Sequence, residues 1–102
     1  MKIRLMVVPP GGGEIDYVNF ADVPAIPREG DYVSIVRAKN IDHFMVRRIW
    51  WNFKEIEDKE LLEFSDNEVC VEVEEAIGGY TDEADRERLK NQGAKEFEAT
   101  AY

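Results

Sequence analysis

Alternation between apolar and polar positions marks most of the first eighty residues as β-structure. The clearest stretch is 69–74, where three valines alternate with cysteine and glutamate and therefore belong on one face of a strand. Residues 3–8 are aliphatic at nearly every position and predict another strand. Extended segments are also expected over 15–20 and 32–37. The pattern is typical of a mainly β protein.

The central stretch 43–54 fits a strand only if one residue is inserted at Arg47–Arg48. Strict alternation would leave an arginine on each face, whereas an insertion collects the apolar side chains on one side. Phe44, Val46, Ile49, Trp51 and Phe53 then face inward, while Met45, Trp50, Asn52 and Lys54 face outward. We therefore predict a β-bulge at Arg47–Arg48, with one indole inside and its neighbour outside.

The loop Pro9–Gly13 combines two prolines with three glycines, which end a strand and permit a tight reversal. The phosphate-binding motifs need a following Gly-Lys-Ser/Thr or a helix, and neither follows here. The loop is therefore predicted to connect a hairpin.

After Thr81 the chain changes character and predicts a helix. Thr81 and Asp82 can cap it, acidic residues occupy its first turn, and basic residues come later. Its apolar stripe is narrow, with Leu89 as the main contact, so the helix is expected on the surface. It should end near Gln92–Gly93.

These elements predict a mainly β fold with a C-terminal helix. The run Pro27–Val33, Pro-x-x-Gly-Asp-x-Val, resembles the start of a strand in small SH3-like barrels. Short connections favour antiparallel pairing, and small sheets protect their edges by curling. We expect a small antiparallel, partly open SH3-like or OB-like barrel of about five strands with one C-terminal helix. A single domain over 1–102 is predicted, with the barrel portion in 1–79 and the helix and tail in 80–102.

Charge is distributed unevenly along the 102 residues, whose net charge is −9. Residues 1–53 carry seven basic and six acidic side chains, while residues 54–102 carry six basic and sixteen acidic ones. The negative second half of the chain repels phosphate, so we do not expect it to bind nucleic acid or an anionic membrane. No secretory signal or membrane-length apolar run is present in the sequence, so a cytoplasmic location is predicted.

The sequence offers little material for catalysis. It has one histidine, His43, and one cysteine, Cys70, which lie 27 positions apart. Glu72 and Glu74 share a strand face and are expected to be solvated, and no calcium-loop spacing is present. We therefore predict no enzyme activity, no metal site and no cofactor.

The candidate binding residues are Arg37, Arg47, Arg48 and Trp50. Arginine and tryptophan combine contact area with directional donors or an aromatic face, and they are frequent in binding surfaces. The competing interpretation is that the C-terminal helix covers Trp50 and that downstream acids pair with the arginines. The leading prediction is a non-enzymatic protein-binding or assembly module, whose partner is another protein or a second copy. The alternatives are single-stranded nucleic-acid binding through this face, or an acidic mimic of nucleic acid that binds a basic partner.

Overall fold

The computed structural model describes residues 1–57 and 61–97, and for residues 64–68 it describes only the backbone. Five strands and one helix follow in the order β1 (Lys2–Val8), β2 (Tyr17–Asp22), β3 (Tyr32–Val36), β4 (Ile41–Glu55), β5 (Leu62–Glu75) and α1 (Glu83–Asn91). The predicted mainly β fold with one C-terminal helix is confirmed. The Pro-Gly loop connects β1 to β2 as an antiparallel hairpin, as predicted.

The five strands form one mixed sheet in the order β2-β1-β5-β4-β3. Three of its four pairings are antiparallel, but β1 lies parallel to β5. The expectation of a wholly antiparallel sheet is therefore wrong. Because β4 pairs with one edge of β5 in a hairpin, the other edge of β5 remains available for pairing. The N-terminal strand β1 pairs with that edge.

The sheet is curled but is not closed into a barrel, so the predicted barrel is not found. In the described part of the chain, β2 and β3 are the two edges and no backbone pairing joins them. At one end the edges nevertheless approach each other, because Arg37, just after β3, donates a hydrogen bond of 3.4 Å to the hydroxyl of Tyr17 on β2. This hydrogen bond between side chains lies where a closed barrel would have backbone hydrogen bonds between two strands.

The predicted bulge is present. Val46 pairs with Val73 and Arg48 pairs with Glu72, so Arg47 is the extra residue on β4. The insertion places Val46 and Ile49 on one face of the sheet and Arg48 and Trp50 on the other. The face assignment made from the sequence is therefore confirmed for Val46, Ile49 and Trp50. A second register shift, which the sequence did not indicate, lies between Trp51 and Phe53.

The core lies on the face that carries the valines of β5, which we call the inner face. Its buried side chains come from three adjacent strands, β1, β5 and β4, and include Ile3, Leu5, Val7, Val69, Val71, Val73, Phe44 and Val46. Residues of the β2–β3 loop, Val23 and Ile26, pack against this cluster. Each fully buried valine contributes about 1.5–3 kcal/mol relative to an exposed position. The opposite side, which carries Cys70, Glu72 and Glu74, is the outer face.

Helix α1 packs at the end of the sheet where β5 finishes. Asp82 caps it by accepting a hydrogen bond from the Asp85 amide at 2.8 Å, and Leu89 is its buried side chain. Arg88 donates to Glu75 at 3.0 Å and fixes the helix to the sheet. In the described residues, no helix has the length and apolar character needed to span a bilayer.

His43 joins the sheet to the segments before and after the helix. Its Nδ1 lies 2.8 Å from the Ser34 hydroxyl, and its Nε2 accepts a hydrogen bond from the Tyr80 amide at 3.3 Å. The ring rests on the backbone of Gly78, where a Cβ atom would meet ring atoms at 2.4 Å. Phe97 packs edge-on against the same ring. Burial lowers the pKa of His43, which favours the neutral ring that this geometry requires.

Val69 is the first residue of β5 that pairs with β1. In the part of the β4–β5 hairpin that precedes it on β5, the two strands continue without β1. We call this two-stranded extension the arm (residues 52–57 and 61–68). Seven residues of β5, 62–68, precede the first β1 partner and span about 23 Å at the usual rise of a strand. The radius of gyration is 15.8 Å, whereas about 13 Å is usual for a compact chain of this length. The arm therefore makes the molecule elongated, with extents of 56 × 25 × 24 Å.

Candidate binding surface

Three of the four predicted binding residues lie together on one surface. Arg48 and Trp50 occupy successive outer-face positions on β4, and Arg47 is the bulge residue beside them. Arg37 is elsewhere, at the helix end of the sheet. There it donates to Asp42 at 2.7 Å, and this carboxylate raises the pKa of the Arg37 guanidinium. Arg37 therefore links strand ends and does not belong to the surface.

Arg47 and Arg48 share a single carboxylate. The Glu72 Oε2 atom lies 3.4 Å from Arg47 Nη1 and 3.0 Å from Arg48 Nε. Arg47 is held further by the Pro-Gly loop, since a Cβ atom at Gly12 would come within 2.8 Å of its guanidinium carbon. Arg48 is free of that loop, and its side chain is 60% exposed. Arg47 and Arg48 carry two positive charges and Glu72 carries one negative charge, so the three side chains together have a net charge of +1.

Trp50 is accessible at the edge of this arginine pair, with 36% of its surface exposed. As far as residue 97, the C-terminal helix and the segment after it do not cover Trp50, although a downstream acid, Glu72, does pair with Arg47 and Arg48 as that alternative expected. Phe97 stacks on Tyr32 at 4.2 Å between ring centroids, and Leu89 is buried at the helix end. Trp51, expected in the interior, is 47% exposed, so that prediction is wrong. It points to the inner face, but β1 ends there and too few neighbours remain to bury it.

Two residues that the sequence did not single out complete the surface. The register places Phe20, Arg4, Cys70 and Trp50 in one row across β2, β1, β5 and β4. The guanidinium carbon of Arg4 lies 5.6 Å from the centre of the Phe20 ring, a cation–π geometry. Phe20 itself is 62% exposed. At three strand spacings, Phe20 and Trp50 are about 14 Å apart.

Arg4 has no charged partner in the part of the chain that the structure describes. Among the described residues no carboxylate lies within 4 Å of it, and its buried Nε atom has no hydrogen-bond acceptor. A buried donor without an acceptor is costly, and such groups commonly have a functional reason. The signal in the sequence was a lone arginine within the aliphatic run of residues 3–8.

These residues define the outer-face patch: Arg4, Phe20, Arg47, Arg48 and Trp50. It combines three guanidinium groups with two exposed aromatic rings, and among the described side chains Glu72 pairs with two of these groups, those of Arg47 and Arg48. In a chain of net charge −9 this is a local excess of positive charge. Such a patch can hold a carboxylate through paired N–H donors and an apolar side chain against either ring.

Glu72 and Glu74 of β5 are not solvated, contrary to expectation. The Glu72 side chain is 12% exposed, and Glu74 is buried. Glu74 accepts a hydrogen bond from the Gly11 amide at 2.6 Å and forms an ion pair with Lys95 at 2.9 Å. The Pro-Gly loop and the segment after α1 cover this end of the outer face, so the open part of the face is the patch.

A cleft of about 240 Å³ at the helix end is the main alternative to the patch. Its acidic side chains already have partners within the protein. Asp42 binds Arg37, Glu75 and Asp85 both lie against Arg88, and Asp82 caps the helix. The cleft therefore serves to attach α1 to the sheet.

A cysteine–histidine pair is excluded by the strand register. Cys70 lies opposite Trp50, seven positions along β4 from His43, which places the two side chains roughly 20 Å apart. Among the residues described, no group of three or more histidine, cysteine, aspartate or glutamate side chains could hold a metal ion.

Comparisons with protein-family models, curated proteins and solved structures find no match to this chain.

Proposed function

We propose that the protein is a non-enzymatic binding or assembly module whose outer-face patch takes an acidic, apolar segment of another protein. The observation that carries the proposal is the uncompensated charge of Arg4 between two exposed aromatic rings. A bound carboxylate would neutralise this charge, and apolar side chains beside it would cover Phe20 and Trp50.

The arrangement also favours a partner that is an extended segment. The row from Phe20 to Trp50 is about 14 Å long, which is the span of four to five residues of extended chain. A barrel of SH3-like or OB-like type was expected to present such a face, and the open sheet presents it on its outer side. Aromatic and arginine side chains could also stack bases, but the net charge of −9 opposes a phosphate backbone.

The proposal can be tested with the Trp51→Phe variant, in which Trp50 is the only tryptophan. The probe is a synthetic 12-residue peptide of alternating glutamate with leucine or phenylalanine, titrated at 50 mM NaCl. We expect a change in Trp50 emission, and we expect Arg4→Gln or Arg48→Gln to weaken binding about tenfold, or roughly 1.4 kcal/mol. Raising the salt should weaken binding too.

Matched controls separate the patch from net charge. Arg37→Gln removes the same charge at the other end of the sheet and should leave the affinity unchanged. A peptide with lysine in place of glutamate should not bind. An equal loss in the Arg37 variant would refute the patch, and tighter binding of a 20-nucleotide oligothymidylate would replace the proposal with the nucleic-acid alternative.

A further inference from the structure

The arm carries apolar side chains into solvent. Phe53, Leu61 and Leu62 are each more than half exposed, and Trp51 at the base of the arm is nearly so. A two-stranded hairpin is marginally stable in water unless something packs against it. Contiguous exposed apolar side chains on such an element indicate a contact surface.

The arm is also acidic. Residues 52–57 and 61–68 carry five acidic side chains and one basic side chain, a net charge of −4. The outer-face patch is basic and aromatic, and among the described side chains its three arginines share one paired carboxylate, which Glu72 supplies to Arg47 and Arg48. The two surfaces are therefore complementary in charge, and each has exposed apolar groups to cover those of the other.

Within one molecule the far end of the arm cannot reach the patch, because the strands carry it about 23 Å beyond the last residue of β5 that pairs with β1. Trp50 lies where the arm leaves the body, and the apolar arm residues Leu61 and Leu62 are at the far end of the hairpin. The contact must therefore form between molecules.

We propose that the outer-face patch binds the arm of a second copy of this chain, and that two copies exchange arms reciprocally. This inference rests on the proposed function, for which it names the partner. A two-fold axis makes both contacts identical and closes the assembly at two copies. Each arm then gains the packing that its own sheet does not supply.

The oligomeric state of the full chain provides the first test. Sedimentation at 1–100 μM and 50 mM NaCl should show a dimer of about 24 kDa, twice the 11.8 kDa chain. The dissociation constant should rise at least tenfold at 500 mM NaCl, because the contact is largely electrostatic. Phe20→Ala, at an exposed position, should also raise it severalfold without unfolding the protein.

A charge-exchange experiment tests the contact itself. A patch variant, Arg4→Glu with Arg48→Glu, and an arm variant, Glu55→Lys with Glu57→Lys and Glu63→Lys, each reverse the sign of the net charge of their surface. Each variant alone should be monomeric because like charges then face each other. Mixing the two should restore a dimer, since both contacts in the mixed pair are again between opposite charges. Circular dichroism of each variant checks folding, and Arg4→Gln with Arg48→Gln replaces the patch variant if it fails to fold.

The outcomes separate this inference from the proposed function. If the chain stays at 11.8 kDa at 100 μM while the acidic peptide still binds in an Arg4-dependent manner, the second copy is refuted and the binding function stands. If a dimer forms that neither charge variant weakens, the patch is not the contact between copies and the second copy is refuted, while the peptide titration alone decides the binding function. If neither the peptide nor a second copy binds, both proposals fail.

Discussion

The body of the sheet and its arm are built from the same two strands, yet they differ in what surrounds them. In the body, β5 lies between β1 and β4, and its valines 69, 71 and 73 are completely buried. In the arm, β5 has only β4 beside it, and apolar side chains such as Leu62 lie in solvent. The comparison shows that a third neighbouring strand, rather than the apolar character of the residues, decides burial here.

The largest expected effect contrasts two phenylalanines on β4. Phe44→Ala in the body should lower the free energy of unfolding by about 3–5 kcal/mol, because it removes a buried ring and leaves a cavity. Phe53→Ala in the arm should cost less than about 1 kcal/mol, since the ring is more than half exposed. Urea denaturation of both at 1 μM protein measures the difference. Equal losses would mean that the arm is packed as tightly as the body.

A second prediction concerns the packing of His43 on the linker to α1. Gly78→Ala should destabilise the fold by about 1–3 kcal/mol, because the added methyl group meets the imidazole ring. The same substitution in a His43→Ala background should cost much less. Thermal unfolding of the four proteins gives the coupling, and additive losses would show that the ring is not the obstacle.

A third prediction concerns the pH dependence of the unfolding free energy that His43, a residue of the body, contributes. Burial lowers the pKa of His43 in the folded state, while the neighbouring Asp42 carboxylate opposes this shift. The folded state therefore binds fewer protons than the unfolded state, and stability present above the unfolded pKa of about 6.5 is lost as the pH falls below it. In His43→Asn the decline in unfolding free energy between pH 7 and 5 should be shallower. An unchanged slope would assign the decline to other groups.

The smallest expected effect is at Arg4. Replacing it with methionine should change stability by no more than about 0.5 kcal/mol, because no carboxylate partner is lost and an unsatisfied buried donor is removed. The same variant should lose affinity for the acidic peptide. A large loss of stability would show that Arg4 is a structural residue and would weaken its assignment to the patch.

Local features of the fold were predictable from the sequence. The bulge at Arg47 followed from two arginines that interrupt an alternating pattern, and the N-terminal cap of α1 followed from residues at its first turn. The parallel pairing of β1 with β5 was not predictable, because it joins segments about 65 positions apart and leaves no local pattern. The burial of Glu74 depends on Gly11 and Lys95, which lie 63 and 21 positions away in the sequence.

Only part of the candidate site was predictable, because a local pattern places residues of one strand but does not show which distant strands lie beside it. Arg47, Arg48 and Trp50 are neighbours on one strand, so their common surface followed from the alternation. Arg4 and Phe20 reach that surface only through the order of the strands, and Arg37 is removed from it by the same order. The sequence by itself determined the helix, the bulge and the alternation of faces over residues 69–74, because these depend on backbone periodicity and on residues a few positions apart. Tertiary structure decided which faces are covered, since coverage depends on neighbours brought from distant parts of the chain.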